Sequence, residues 1–159
     1  KKQAAQAGSQ LIHPPMPEVA FHFNAPDKLA YACRFARKAL RSDARLVIVG
    51  PPEVLQPLDA MLWNMAPHDF VAHALQGCDA ELWSASPVVL AQGTQGAPHQ
   101  DVLLNLGAQV PEGFEGFARV VEVVSAHDEA DRGMARQRWR QYQAQGHAIV
   151  RHDLVLKDS

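Results

Sequence analysis

The residues with most chemistry to offer lie near the C-terminus, in RGMARQRWRQYQAQG (132–146). Arg132, Arg136, Arg138 and Arg140 stand there with no acid among them, interleaved with Trp139 and Tyr142. Guanidinium groups grip carboxylates through paired N–H donors, and an aromatic neighbour adds apolar contact. At about 100° per residue, Arg132, Arg136, Trp139 and Arg140 share one helix face. Arg138 points well away from it, while Ala135 and Tyr142 sit beside it, toward the core. The stripe is expected to be exposed, and two readings fit it. One is a solvated face, neutralised by Glu122, Asp128, Glu129 and Asp131. The other is a binding surface anchored by an exposed tryptophan. Nucleic acid would ask for basic residues along a longer track, so a short acidic peptide with an apolar anchor suits the stripe better.

Other candidate chemistries are thinner. RLVIVG (45–50) followed by a helix start resembles a nucleotide-binding turn, but GPPEVL lacks the further glycines and the Lys-Ser/Thr pair. Pro51 and Pro52 also remove N–H donors where a phosphate would need them. GTQG (93–96) precedes a strand and reads as a surface loop. The eight histidines include no HExxH pair, and neither cysteine has a CxxC partner, so no metal site is expected. Ser42, Ser84, Ser86 and Ser125 lack a GxSxG context, which makes an enzyme the weaker option.

The elements that must position these residues alternate. VAFHF (19–23) is a strand, and Asn24, Pro26 and Asp27 supply helix-start chemistry for Leu29, Ala32, Cys33, Ala36 and Leu40 at helical spacing. RLVIVG is a strand buried on both faces. A second helix through Leu55, Leu58, Met61 and Leu62 is expected to have Pro57 in its first turn or to kink there, and to end at Pro67. Phe70–His73, PVVLAQ (87–92), DVLLNLG (101–107) and RVVEVVS (119–125) read as strands, and PEGFEGF (111–117) as a short helix or turn. Asp128 caps the arginine helix, which stops at Gly146, and a last strand or tail follows. This predicts one three-layer α/β domain around a largely parallel sheet flanked by helices, Rossmann-like without a nucleotide site.

The 159-residue length fits a single domain, and a net charge of −2 argues against a surface that grips nucleic acid everywhere. Two distant cysteines, the lack of a run of about 18 apolar residues and the lack of a secretory leader point to a cytoplasmic protein. Residues 1–15 are small and polar, and are read as a leader preceding the domain at 16–159, with the native start at Met16.

Four stretches, LDAMLWNMAPHDFVAH (58–73), PVVL (87–90), DVLLNLGAQVPEGFEGFARVVEVV (101–124) and MARQRWRQYQAQG (134–146), together resemble the chi subunit family of bacterial DNA polymerase III holoenzyme. The resemblance runs from about Val19 to Gly146. It implies an α/β fold without nucleotide or other cofactor, serving as a non-catalytic connector. Its partners would be the psi subunit, which joins it to the clamp loader, and the acidic C-terminal tail of single-stranded DNA-binding protein. DNA would be met only indirectly. By motif alignment the tail site falls on Arg132, Arg136, Trp139 and Arg140, with arginine and tryptophan where relatives show lysine or tyrosine. Trp63 and Phe70 match aromatic positions of the region linked to psi, with core packing as the competing reading of each. Direct nucleic-acid binding by the arginine helix, or a Rossmann-type small-molecule enzyme, stand as alternatives.

Overall fold

The computed structural model describes residues 16–65 and 71–155, so the expected leader and Phe70 lie outside the described residues. Seven strands form one open sheet: β1 (Glu18–Ala25), β2 (Leu46–Val49), β3 (His73–Leu75), β4 (Val88–Ala91), β5 (Val102–Asn105), β6 (Arg119–Ser125) and β7 (Ile149–Asp153). Their order is β3-β4-β2-β5-β6-β1-β7, and every neighbouring pair is parallel. A parallel sheet must be covered on both faces, which is why LVIV, VVLA and VLLN are buried at every position.

Helices α1 (Lys28–Arg41) and α2 (Pro52–Trp63) cover one face, over Leu46, Ile48, Leu90 and Leu104. The buried side of α1 is mostly small, with Ala32, Cys33, Ala36 and Ala39, so the helix lies close against the strands. Asp27 caps it by accepting from the Ala30 amide at 3.1 Å. In α2, Pro52 takes the first helical position, where a missing N–H costs nothing. Pro57 falls in the second turn rather than the first, and the helix runs through it to Trp63. The carbonyl that loses its donor is that of Glu53, on the exposed side. The helix thus ends before Pro67, and the strand expected at Phe70–His73 begins only at His73.

The opposite face, with Val47, Val49, Val89 and Leu103, packs against α4 (Glu129–Ala144) and the 3-10 turn Phe114–Gly116. A short helix α3 (Ala80–Ala85) adds Trp83 to this layer. It was not anticipated, because six residues with none fully buried leave no periodic signal. Asp79 starts it by accepting from the Glu81 and Leu82 amides. Asp128 caps α4 through the Ala130 and Asp131 amides, and Gly146, at φ +89, lets the chain turn away after it. The chain then adds β7 at the sheet edge, beside β1, with Phe21 opposite Arg151 and Phe23 opposite Asp153. Partners in a parallel pair share a face, so Arg151 is carried to the α4 side with Phe21.

Candidate functional site: a cationic concavity with aromatic walls

Between α4 and the β1–β7 edge lies a concavity of about 410 Å³. Phe21 and Phe23 reach it from β1 because alternate residues of a strand share a face. Val124 of β6 and Ala135 of α4 complete an apolar floor. Arg132, Arg136, Trp139, Arg140 and Gln143 form the helix side, and Arg151 of β7 stands opposite. All four residues expected from helical spacing therefore line one depression, while Arg151 was not anticipated.

The tryptophan corrects one detail. Trp139 is half-buried rather than freely exposed. Its ring meets Phe21 edge-on, with centroids 5.0 Å apart and planes at 61°. It is a wall whose orientation is held from below. The arginines also differ among themselves. Arg132 lies 3.4 Å from Glu129 and donates to the Asn24 side chain and the Ser125 carbonyl. Arg136, with its side chain 58% exposed, is 3.7 Å from the same Glu129. Of the acids expected to neutralise the stripe, only Glu129 does so. Asp128 is engaged in capping, and Asp131 binds Lys28 at 2.8 Å and the Ser125 amide at 2.9 Å.

Glu122 is fully buried beneath α4 and is the centre of a polar network. Arg138, expected to point away from the stripe, points inward and donates from Nε to Glu122 at 2.8 Å. The Tyr142 hydroxyl donates to the second carboxylate oxygen at 2.7 Å, and the Asn105 amide reaches both oxygens at 2.9 and 3.1 Å. Arg138 Nη1 donates to the Ala108 carbonyl, and its buried Nη2 has no partner among the described residues. Burial pushes the Glu122 carboxyl up from the usual carboxylate range, against the pull of Arg138 and the Asn105 and Tyr142 donors. The Tyr142 hydroxyl is pushed far above its ordinary value by burial and by the Glu122 charge, so it stays a donor. Period-two alternation was the available signal: Glu122 lies between Val120 and Val124, both buried on the α4 side. The network holds α4 in one rotation about its axis, and Arg138 is next in sequence to Trp139.

At the end of α2, Trp63 is 58% exposed, so it does not close the helix against the sheet. Its ring stacks obliquely on His73 at 5.1 Å, and His73 bonds Asp59 and the Val71 carbonyl. The partner call on Phe70 falls outside the described residues.

A second crevice, of about 480 Å³, opens at the carboxyl ends of β2 and β5, where α/β folds often bind ligands. Several backbone donors at its base are engaged within the chain. Gly50 N–H goes to Ala91, Leu106 N–H to Val49, and Gly107 N–H to the Asn105 side chain. Among the described residues no three His, Cys, Asp or Glu side chains group as metal ligands, and no helix is long and apolar enough to cross a membrane.

Fold and site together define a three-layer α/β domain with a cationic, aromatic-walled concavity beside α4. Comparison with known families narrows this further. The family model described as DNA polymerase III chi subunit, HolC, matches residues 16–150. The chain is 34% identical to the DNA polymerase III subunit chi of Pseudomonas aeruginosa over 128 residues, covering 80% of this chain and 87% of that one. It is 28% identical to the subunit of the same name from Haemophilus influenzae over 116 residues, covering 72% and 79%. The chain belongs to the DNA polymerase III chi subunit family, which places it in DNA replication as an accessory subunit of that polymerase.

Proposed function

We propose that this protein, as one domain from Met16 onward, is a non-catalytic connector working in the cytoplasm. It holds the acidic C-terminal tail of single-stranded DNA-binding protein on α4 and links it, through psi, to the clamp loader. The observation that carries this reading is the concavity: Arg132, Arg136 and Arg140 rim an apolar floor walled by Trp139. Guanidinium groups at the rim attract and orient the tail's acids, and the floor takes its terminal apolar side chain. A cluster confined to one depression suits a short peptide better than a phosphate backbone, which needs a longer track. Affinity should be modest and salt-sensitive, since exposed charges are screened beyond about 8–10 Å at physiological ionic strength.

Calorimetry with a tail peptide tests the site. Arg136→Ala and Arg140→Ala should each weaken binding by roughly 1–3 kcal/mol, and wild-type affinity in the double variant would reject it. Titration with a bare oligonucleotide separates direct nucleic-acid binding: affinity comparable to the peptide's would favour that reading instead. The psi contact is proposed at Trp63 and Phe70. Its support is the exposure of Trp63, a large apolar ring left 58% accessible at a helix end. Phe70→Ala should release psi and spare the tail, and undiminished co-purification with psi would rule this out.

A further inference from the structure

Two observations single out Arg151 within the concavity. First, among the described residues Arg140 and Arg151 have no acidic partner, whereas Arg132 and Arg136 share Glu129. Their charge is therefore the part of the rim that the described residues leave uncompensated. Second, the Arg151 guanidinium lies over the floor's own rings, 4.9 Å from the Phe23 centroid and 5.9 Å from that of Trp139. Stacking on aromatic faces holds a guanidinium plane in place while its N–H edge stays available. β7 is tied to β1 along its length, so this cation is carried by the sheet and not by the helix.

We propose that Arg151 is a further ligand-contacting residue of this site, holding the terminal carboxylate of the bound peptide from the strand side. The inference rests on the peptide-binding reading above and adds which group of the peptide is recognised, and by what. A terminal apolar side chain seated on Phe21, Phe23 and Trp139 puts the carboxylate on its own Cα at the edge of those rings. Arg151 is the cation stacked there, opposite the arginines of α4. The helix arginines then take the acidic side chains farther along the peptide. Such a division favours a free C-terminus over an internal acidic segment of the same composition.

The test uses the full chain and two synthetic ten-residue probes, built of aspartate and glycine and ending in phenylalanine, one with a free C-terminal carboxylate and one amidated. Titration calorimetry is run on the wild type, Arg151→Met and the Arg136→Ala/Arg140→Ala double variant. Melting curves check that each is folded, and Arg151 is exposed on an edge strand, where methionine keeps the length of the stem. The expected result is that Arg151→Met weakens the free-acid peptide by about 5- to 20-fold and leaves the amide within about twofold. Equal weakening of both peptides would overturn the assignment in favour of a general field effect, and no weakening of either would also overturn it. If only the double variant loses affinity, the concavity stands as the site and Arg151 is rejected. If the double variant binds both peptides like the wild type, the reading of the concavity fails and the Arg151 proposal with it.

Discussion

Arg138→Met removes the counter-charge from a carboxylate that has no access to water. Glu122 would be left with the Asn105 amide and the Tyr142 hydroxyl, two neutral donors for a buried negative charge. Breaking a buried ion pair by removing one partner costs about 3–5 kcal/mol. A domain is stable by only about 5–15 kcal/mol in total. The loss should also depend on pH. Burial already raises the Glu122 carboxyl, and Arg138 is the strongest influence opposing that rise, so the variant's value lies higher still. The folded variant then keeps a proton that the unfolded chain has released. Its stability falls as pH rises above about 4.5, by at most about 1.4 kcal/mol per pH unit, until the folded value is passed. Urea denaturation followed by circular dichroism at pH 5, 6, 7 and 8, at constant ionic strength, reads both effects. A loss below about 1 kcal/mol at pH 8, or one identical at pH 5 and pH 8, would refute the reasoning. Adding Glu122→Leu should recover much of the stability, because no buried charge is then unpaired.

His99 is buried, and its Nε2 donates to the Ser86 carbonyl, so the second proton would fall on Nδ1, which has no partner among the described residues. Burial accordingly lowers its pKa below the ordinary 6.5. The unfolded chain binds that proton more readily, so stability should fall as pH drops below about 6.5 toward the folded value. His99→Gln should flatten that window in a series of urea melts. Gly113→Ala forces a side chain onto φ +82 and brings its Cβ within 2.5 Å of Thr94 Oγ1. A loss of about 1–3 kcal/mol is expected, read as a lower urea midpoint with unchanged slope. Asp128→Ala removes an acceptor from the Ala130 and Asp131 amides and should cost about 1 kcal/mol. Because the cap lies about three turns away from Trp139, peptide affinity should change less than in Arg140→Ala.

Much of this fold was legible from periodicity alone. Continuous apolar runs at 46–49, 88–91 and 102–104 read as strands covered on both sides, and they are. Helical spacing placed Arg132, Arg136, Trp139 and Arg140 on one face, because rotation per residue is a local property of the chain. Short or irregular pieces were not legible: α3 is too short to show a period, and α2 stops at Trp63, ahead of Pro67.

Local chemistry in the sequence thus determined the elements, their caps and the existence of a basic, aromatic helix face. Which charges remain for a ligand was decided only in three dimensions. Arg138 belongs to the same helix as the rim arginines, yet its partner Glu122 comes from a strand 16 residues earlier. Arg151 reaches the rim because β7 pairs with β1, a contact between residues 130 apart in register at Phe21. Spacing along one element states which side chains share a face. It carries no information about which distant strand will lie against that face, because the pairing is set by the packing of the whole sheet.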